Sequence, residues 1–426
     1  MAQNPELTTQ GTLIPGVYVH IPFCERKCVY CNFNTTDFFE DIAEKYVQAV
    51  ELEIQNWPRR IHESVAAPED ASAKPVDPLA DQSQVFSSSR ATSESIDSIY
   101  FGGGTPSILR ASQLRRLIQA CKSSFQIAPD VEITIEVNPG SFSREKLEGW
   151  LSAGINRVSV GVQSFIDREL VVLSRTHSAQ RAISTLDSFR QAGFTNISLD
   201  LIAGLPGQTL EGWKFNLDQA IQLRPEHLSL YLLEVKEGTQ LYSQLKRGQT
   251  TVTDDDTVAE MYEMICERTA TGGYEQYEIS NFARRETRSG NKKSYRSKHN
   301  MKYWTGAAFY GMGCGAHSSS GNLRWFNILR TETYIERIRR TGSAVAERQV
   351  LSNQQRAVEA LFMGLRLLEG VSLSEFNKRY GVEALECFGD ELLRLMDAEL
   401  LQICDGHLCL TRKGRLLSNE VFVALV

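Results

Sequence analysis

Between Val17 and Leu233, short apolar runs rich in β-branched residues alternate with longer stretches whose apolar residues recur every three or four positions. The runs Val17–His20, Ser98–Gly102, Glu132–Val137, Arg157–Gly161, Asn196–Ile202 and Leu228–Leu233 predict strands. A helix is expected from Asp41, with Glu44 completing a capping box and Ile42, Tyr46, Val50 and Ile54 on one stripe. A second is expected from Ser178 through Ile183, Leu186 and Phe189 to a capping Gly193. A third begins at Thr209, presents Leu210, Trp213, Leu217 and Ile221, and stops before Pro225. Strands alternating with helices in this way predict an α/β protein with a parallel sheet and right-handed crossovers. The pattern alone leaves open a partly closed (β/α)6 barrel or a flat doubly wound sheet.

Two changes of texture divide the chain. Residues 58–97 hold Pro58, Pro68, Pro75 and Pro78 among Ala, Ser, Asp and Gln, too little apolar surface to offset ordering, so a mobile insertion is expected there. After Leu233, Tyr274–Phe282 reads as a strand and Gly311–Gly315 as a turn or close backbone approach. From Ser352 the order is helix, helix, helix, hairpin, helix, with Asp405 and Gly406 in the hairpin turn. The expected divisions are a tail over 1–16, a barrel over 17–240, an extension over 241–345, and a mostly helical, winged-helix-like part over 346–426. That last part shows no basic face, which suits packing or partner contact better than DNA reading.

Composition removes whole classes of function. A hydrophobic share of 42% and a charged share of 23% are those of an ordinary globular chain. The formal net charge of −6 supplies no attraction to nucleic acid or to an anionic membrane. No apolar run approaches the roughly 20 residues that span a bilayer, and the polar N-terminus lacks a signal-peptide layout, so a cytoplasmic protein is expected.

Nine cysteines, an odd number in a chain without secretory features, argue against a disulfide framework. Cys121, Cys266 and Cys387 read as small buried hydrophobes. Cys24, Cys28 and Cys31 do not, for they follow the first strand in VYVHIPFCERKCVYCNF at C-x3-C-x2-C spacing. Three thiolates on one loop can hold three irons of a 4Fe-4S cube and leave the fourth without a protein ligand. S-adenosylmethionine (SAM) can chelate that iron through its amino and carboxylate groups and take an electron onto its sulfonium, releasing methionine and a 5′-deoxyadenosyl radical. The other metal to weigh is zinc, which asks for four ligands; His20, on the far side of Pro22, is the candidate fourth.

The triplet, with Tyr30 just before Cys31, resembles the signature of the radical-SAM superfamily, and YVHIPFC resembles its oxygen-independent coproporphyrinogen III oxidase family. The likeness continues through GGGTP (102–106), IEVNPG (135–140), RVSVGVQSF (157–165), LDLIAGLPGQT (199–209) and HNMKYW (299–304). It implies a partial (β/α)6 radical-SAM barrel with its site at the strand C-termini. It places Gly103, Gly104 and Thr105 near the methionyl amino group of SAM, with Glu136 suited to that amine. Gln163 and Asp200 suit ribose hydroxyls, Arg175 suits the SAM carboxylate, and Tyr18 and Tyr30 stand beside cluster or SAM, with Tyr30 near the adenine. An electron donor for the cluster is implied as a partner.

Within that family the chain resembles the haem-chaperone branch more than the oxidase. Phe33 stands where the oxidase pattern has a further cysteine, only sixteen residues precede the first strand, and HNMKYW fits the branch's HNxxYW motif. The resemblance implies haem binding through His299, Tyr303 and Trp304, the imidazole reaching iron and the two rings stacking on the macrocycle. Cys314 and His317 are further candidate ligands. A haem-acceptor protein, membrane-associated or not, is the implied partner, and radical decarboxylation of coproporphyrinogen III is the competing activity.

Overall fold

The computed structural model describes residues 13–57, 94–285 and 294–425. Residues 58–93 of the expected insertion lie outside these, and its last residues belong to a strand that starts at Ser95.

Six parallel strands form the heart of the fold: β1 (Gly16–Ile21), β2 (Ser95–Gly103), β3 (Gln126–Val137), β4 (Arg157–Gln163), β5 (Ile197–Ala203) and β6 (His227–Leu232). They lie in the sheet in chain order. That order excludes the doubly wound alternative, whose strand order reverses partway, and matches the one-way winding of a barrel wall. The curve is not closed. Beyond β6 the sheet continues as the antiparallel pair Asn281–Arg284 and Tyr274–Gln276. Beyond β1 it continues through Phe309–Met312, His317–Ser320, Leu323–Asn327 and Val345–Val350.

Alternation along the strands sorts side chains to two faces. Val17, Val19 and Ile21, Ile99 and Phe101, Ile133 and Ile135, and Val158 and Val160 join one apolar core with the outer helices. The intervening Tyr18, Ser98, Tyr100, Thr134, Glu136, Arg157, Ser159 and Asp200 make a polar inner face. The helices from Ser178 and Thr209 are capped as their sequences predict: Ser178 accepts from the Arg181 amide, Thr209 from the Gly212 amide, and Gly193 ends its helix at φ 105°.

Ahead of the C-terminal part, two local expectations fail. The first helix, Glu40–Gln55, starts one residue before Asp41 and has no side-chain cap. Glu44 is instead drawn outward by Gln113 and Arg116 on the next helix, Ala111–Ser124, and by Arg110 at its N-cap. The run Tyr274–Phe282 is not one strand. It turns at Tyr277–Ser280, where the buried Glu278 carboxylate accepts from the Ser280 amide and the Asn281 side chain.

The C-terminal part has its own apolar core around Leu361, Phe376, Leu392, Leu408 and Val421. Its hairpin, Leu401–Cys404 with His407–Leu410, turns through left-handed Asp405 and Gly406. Two short helices follow, Arg412–Leu416 and Ser418–Ala424, where one was expected. No helix among the described residues is long and apolar enough to cross a membrane.

One buried carboxylate ties the added strands to the barrel. Glu53, fully buried in the first helix, accepts from the Gly313 amide, the Asn327 side chain and the Tyr334 hydroxyl. Glu53→Ala would strip three buried donors of their acceptor, at about 1–3 kcal/mol for each such group. Urea unfolding should therefore show a loss of at least about 3 kcal/mol, since the site is too polar to collapse; a loss below about 1 kcal/mol would show that water replaces the carboxylate.

Candidate functional site

The C-terminal ends of β1 to β6 open into a cavity of about 770 Å³. Cys24, Cys28 and Cys31 line it, together with Tyr30, Gly103, Gly104, Thr105, Glu136, Gln163, Arg175, Asp200 and Trp304. Tyr18, His299 and Tyr303 do not.

The cysteine loop is held by main-chain bonds. The Gly104 amide donates to the Ile21 carbonyl and the Thr105 amide to the Phe23 carbonyl, each at 2.8 Å. A Cβ on Gly104 would stand 2.7 Å from the Phe23 oxygen, so only glycine allows this approach. The Thr105 hydroxyl points to Cys24 Sγ at 3.6 Å, and Arg175 Nη1 to Cys28 Sγ at 3.5 Å. Burial pushes the Cys24 thiol up to about 11 and also raises that of Cys31. Three thiols beside a hydroxyl and a guanidinium suit an anionic iron–sulfur cluster, whose binding must displace the thiol protons. His20 is not free to serve as a fourth ligand, because its Nε2 meets the Asn34 carbonyl and its Nδ1 the Tyr18 hydroxyl.

The glycine loop does not present open amides to a ligand. Besides the two amides bound to β1 and the cysteine loop, the Gly103 amide donates to Glu136 Oε2 at 3.1 Å. Glu136 Oε1 accepts from the Tyr100 hydroxyl at 3.0 Å. Burial, then the facing Asp200 charge, raises the Glu136 carboxyl to about 7. Asp200 is likewise raised by burial and accepts from the Ser159 hydroxyl. Gln163 ends β4 in a left-handed conformation, φ 66°, beside a register shift that turns its side chain into the cavity. Arg175 follows left-handed Ser174 and spends Nη2 on Asn138 and the Gly161 carbonyl, while its buried Nε has no partner among the described residues.

Of the residues expected to meet haem, only Trp304 lines this cavity. His299 is 1% exposed at the N-terminal end of the barrel, its Nδ1 on Ser98 Oγ at 3.0 Å and its Nε2 on the Tyr303 hydroxyl at 3.1 Å. Burial, then Lys302 and Arg157, lowers its pKa to about 3, so the ring is neutral and both nitrogens are used. As placed, it presents no nitrogen to iron. Cys314 is buried against Thr331 and Asn34, and His317 is an exposed ring stacked on Phe326. Sequence reading missed Tyr100, Ser159 and Asn138, although all three sit in or beside predicted strands on the polar parity. It also missed Arg366 and Arg415, which nothing in their helical sequence context marks.

Comparison with known proteins agrees with this architecture. The Radical SAM superfamily pattern matches residues 18–219, and the HemN C-terminal domain pattern matches residues 351–417. "Heme chaperone HemW" of Bacillus subtilis is 33% identical over 96% of this chain and 99% of that protein. The Mycobacterium tuberculosis protein of the same name is 32% identical over 96% and 94%. "Radical S-adenosyl methionine domain-containing protein 1, mitochondrial" of Danio rerio is 32% identical over 84% and 74%. Among solved structures, the Escherichia coli coproporphyrinogen III oxidase HemN superposes with a TM-score of 0.75 at 22% identity, over 97% of this chain and 90% of that one, and so shares the fold. The chain is a member of the radical-SAM superfamily and, within it, of the HemN-like family in its HemW branch. Membership implies a 4Fe-4S cluster and SAM.

The raised Glu136 carboxyl has a measurable consequence. A carboxyl with a folded-state pKa near 7 and an unfolded value near 4.3 keeps its proton longer when folded, so it costs stability increasingly as pH rises through that window and fully above it. Glu136→Gln should therefore raise the melting temperature at pH 8 and leave it nearly unchanged at pH 4.5. Equal shifts at both pH values would show that the carboxyl titrates normally.

Proposed function

We propose that this protein is a haem chaperone, which binds haem and hands it to an acceptor protein while carrying a 4Fe-4S cluster on Cys24, Cys28 and Cys31 with SAM beside it. The observation that carries this reading is identity of 30–33% with HemW chaperones over 96% of the chain. Exposed Phe33, 61% accessible at the mouth of the cysteine loop, stands where the oxidase pattern has a cysteine and supports the same choice.

In this reading the cluster and SAM, when bound, supply one-electron reduction of a sulfonium at the cavity. Thr105 and Arg175 hold negative charge on the thiolates of Cys24 and Cys28. Arg175 Nε, without a partner among the described residues, is the donor for the SAM carboxylate. Glu136 and Asp200 form the acceptor wall for the amino group and ribose, with Gln163 beside them, and Tyr30 gives the adenine an apolar surface against Leu173, Ile202 and Leu205. Trp304 is the part of HNMKYW that reaches the cavity and can face the macrocycle, with His299 and Tyr303 supporting its helix from behind. The electron donor and the haem acceptor belong to the cytoplasm or its membrane face.

Anaerobic reconstitution should give about four irons and four sulfides per chain, as a single cubane requires. Cys28→Ala should lose them, since two thiolates do not hold a cube, whereas Cys121→Ala should retain them. Full iron in the Cys28 variant would sink the cluster assignment. The reconstituted protein should bind about one haem per chain, as a single cavity allows, and should not decarboxylate coproporphyrinogen III. Turnover of that substrate would replace the chaperone with the oxidase. His299→Ala should leave the haem absorption maxima in place, because its nitrogens are bound inside the fold; a spectral shift would restore it as an iron ligand.

A further inference from the structure

The cavity has a second end, away from the cysteines, where Trp304, Arg366, Arg415, Ile279 and Asn419 form the wall. The Arg366 guanidinium lies over the Trp304 ring at 4.4 Å. Its one ion pair among the described residues is long, 3.4 Å from Nη2 to Glu278 Oε2, against about 2.7–2.9 Å for a strong charge-assisted bond. Arg415 spends Nη1 on the neutral Gln276 side chain at 2.7 Å. Three donors are then left over. Arg366 Nε, Arg415 Nε and Trp304 Nε1 are all buried, and none has an acceptor among the described residues.

Buried N–H groups are normally satisfied, and these three orphans belong to residues that line one cavity. The charge balance points the same way. Of the two guanidiniums only Arg366 meets a carboxylate on this wall, Glu278, whose other oxygen is committed to Ser280 and Asn281. Glu234, the nearest remaining acid on this wall, is paired with Lys236 and accepts from Asn419. The missing partner is therefore an anion with planar acceptor geometry that arrives beside an aromatic wall.

We propose that Arg366, Arg415 and Trp304 Nε1 form a carboxylate subsite that grips a propionate of a planar tetrapyrrole, resting on the haem reading and fixing which end of the cavity the macrocycle's acidic edge occupies. Arg366 comes from the segment after helix Asn353–Gly364, Arg415 from Arg412–Leu416, and Trp304 from Lys298–Thr305. The subsite therefore forms only when the C-terminal part closes on the barrel. A SAM carboxylate has the same chemistry, and the test separates the two.

Haem and haem dimethyl ester, whose propionates are capped, are titrated into the reconstituted full chain, with SAM titrated separately. Wild type should prefer haem to the ester. Arg415→Gln and Arg366→Gln should each weaken haem roughly 10- to 100-fold, the loss of one charge-assisted bond. The same variants should leave the ester and SAM affinities unchanged, so the preference disappears. If Arg366→Gln fails to fold because Glu278 loses its cation, Arg366→Lys keeps that pair without the fork and should show the same loss. Trp304→Phe keeps the ring, removes the N–H and should cost haem roughly two- to tenfold. Unchanged haem affinity in the arginine variants, or a loss confined to SAM, overturns the subsite and leaves the chaperone reading standing. A wild type that binds no haem removes that reading itself.

Discussion

The parallel pairing of β1 with β2 is the constraint on which the site rests. Its register runs from Gly16 opposite Ser98 to Ile21 opposite Gly103, and the same ladder continues past the strands into the loops. There the Gly104 and Thr105 amides bind the Ile21 and Phe23 carbonyls, so the cysteine loop leaves the sheet already bound to the glycine loop. A second short pairing, Phe23–Cys24 with Thr36–Asp37, closes the cysteine loop on its far side. Three thiols on a free loop would pay heavily in conformational entropy to meet a cluster. Here that ordering is done by main-chain hydrogen bonds, and the glycines are kept for backbone contact with protein as much as with ligand.

The inner face of the barrel is built against stability. Glu136 and Asp200 repel each other, and Arg157, 2% exposed, has Glu132 only at 4.0 Å. Buried groups so imperfectly paired cost folding free energy, and an apolar filling would be more stable. They persist where a cationic, multiply hydroxylated ligand would supply the missing partners, which is the usual reason for perturbed carboxyls to gather at a cavity. The outer face carries the compensation: a continuous apolar core through the strands and their helices.

Much of this was legible in the sequence. Short apolar runs rich in β-branched residues placed all six parallel strands to within three residues at most ends, β3 running six residues longer at its start, because burial of a parallel sheet leaves such runs. Ser178, Thr209 and Gly193 announced helix ends through local hydrogen-bond chemistry that tertiary contacts did not override. Glu44 misled because a capping box competes with any nearby cation, and Arg116 lies across the groove from it, invisible in a single sequence. Tyr274–Phe282 misled because Glu278, the residue that turns the chain, looks there like an ordinary strand-surface acid. The winding of the sheet was legible only through the motif resemblance, since hydrophobic period says nothing of neighbour order.

The residues of HNMKYW, on a single short helix, meet different parts of the barrel. Its helix lies against the barrel so that His299 and Trp304, five residues apart, face different surroundings. His299 stacks on Tyr100 at 5.2 Å and on Tyr18 at 6.1 Å, and bonds Ser98 below them. Tyr100 in turn donates to Glu136. The imidazole thus fixes the ring that orients the Glu136 carboxylate, while Trp304 turns toward Arg366. A neutral histidine suits the first task, because an imidazolium would add charge beside Arg157 and Lys302. A buried tryptophan N–H without an acceptor among the described residues suits the second. The motif is a strut between the two ends of one cavity, and its residue types follow from what each end must hold.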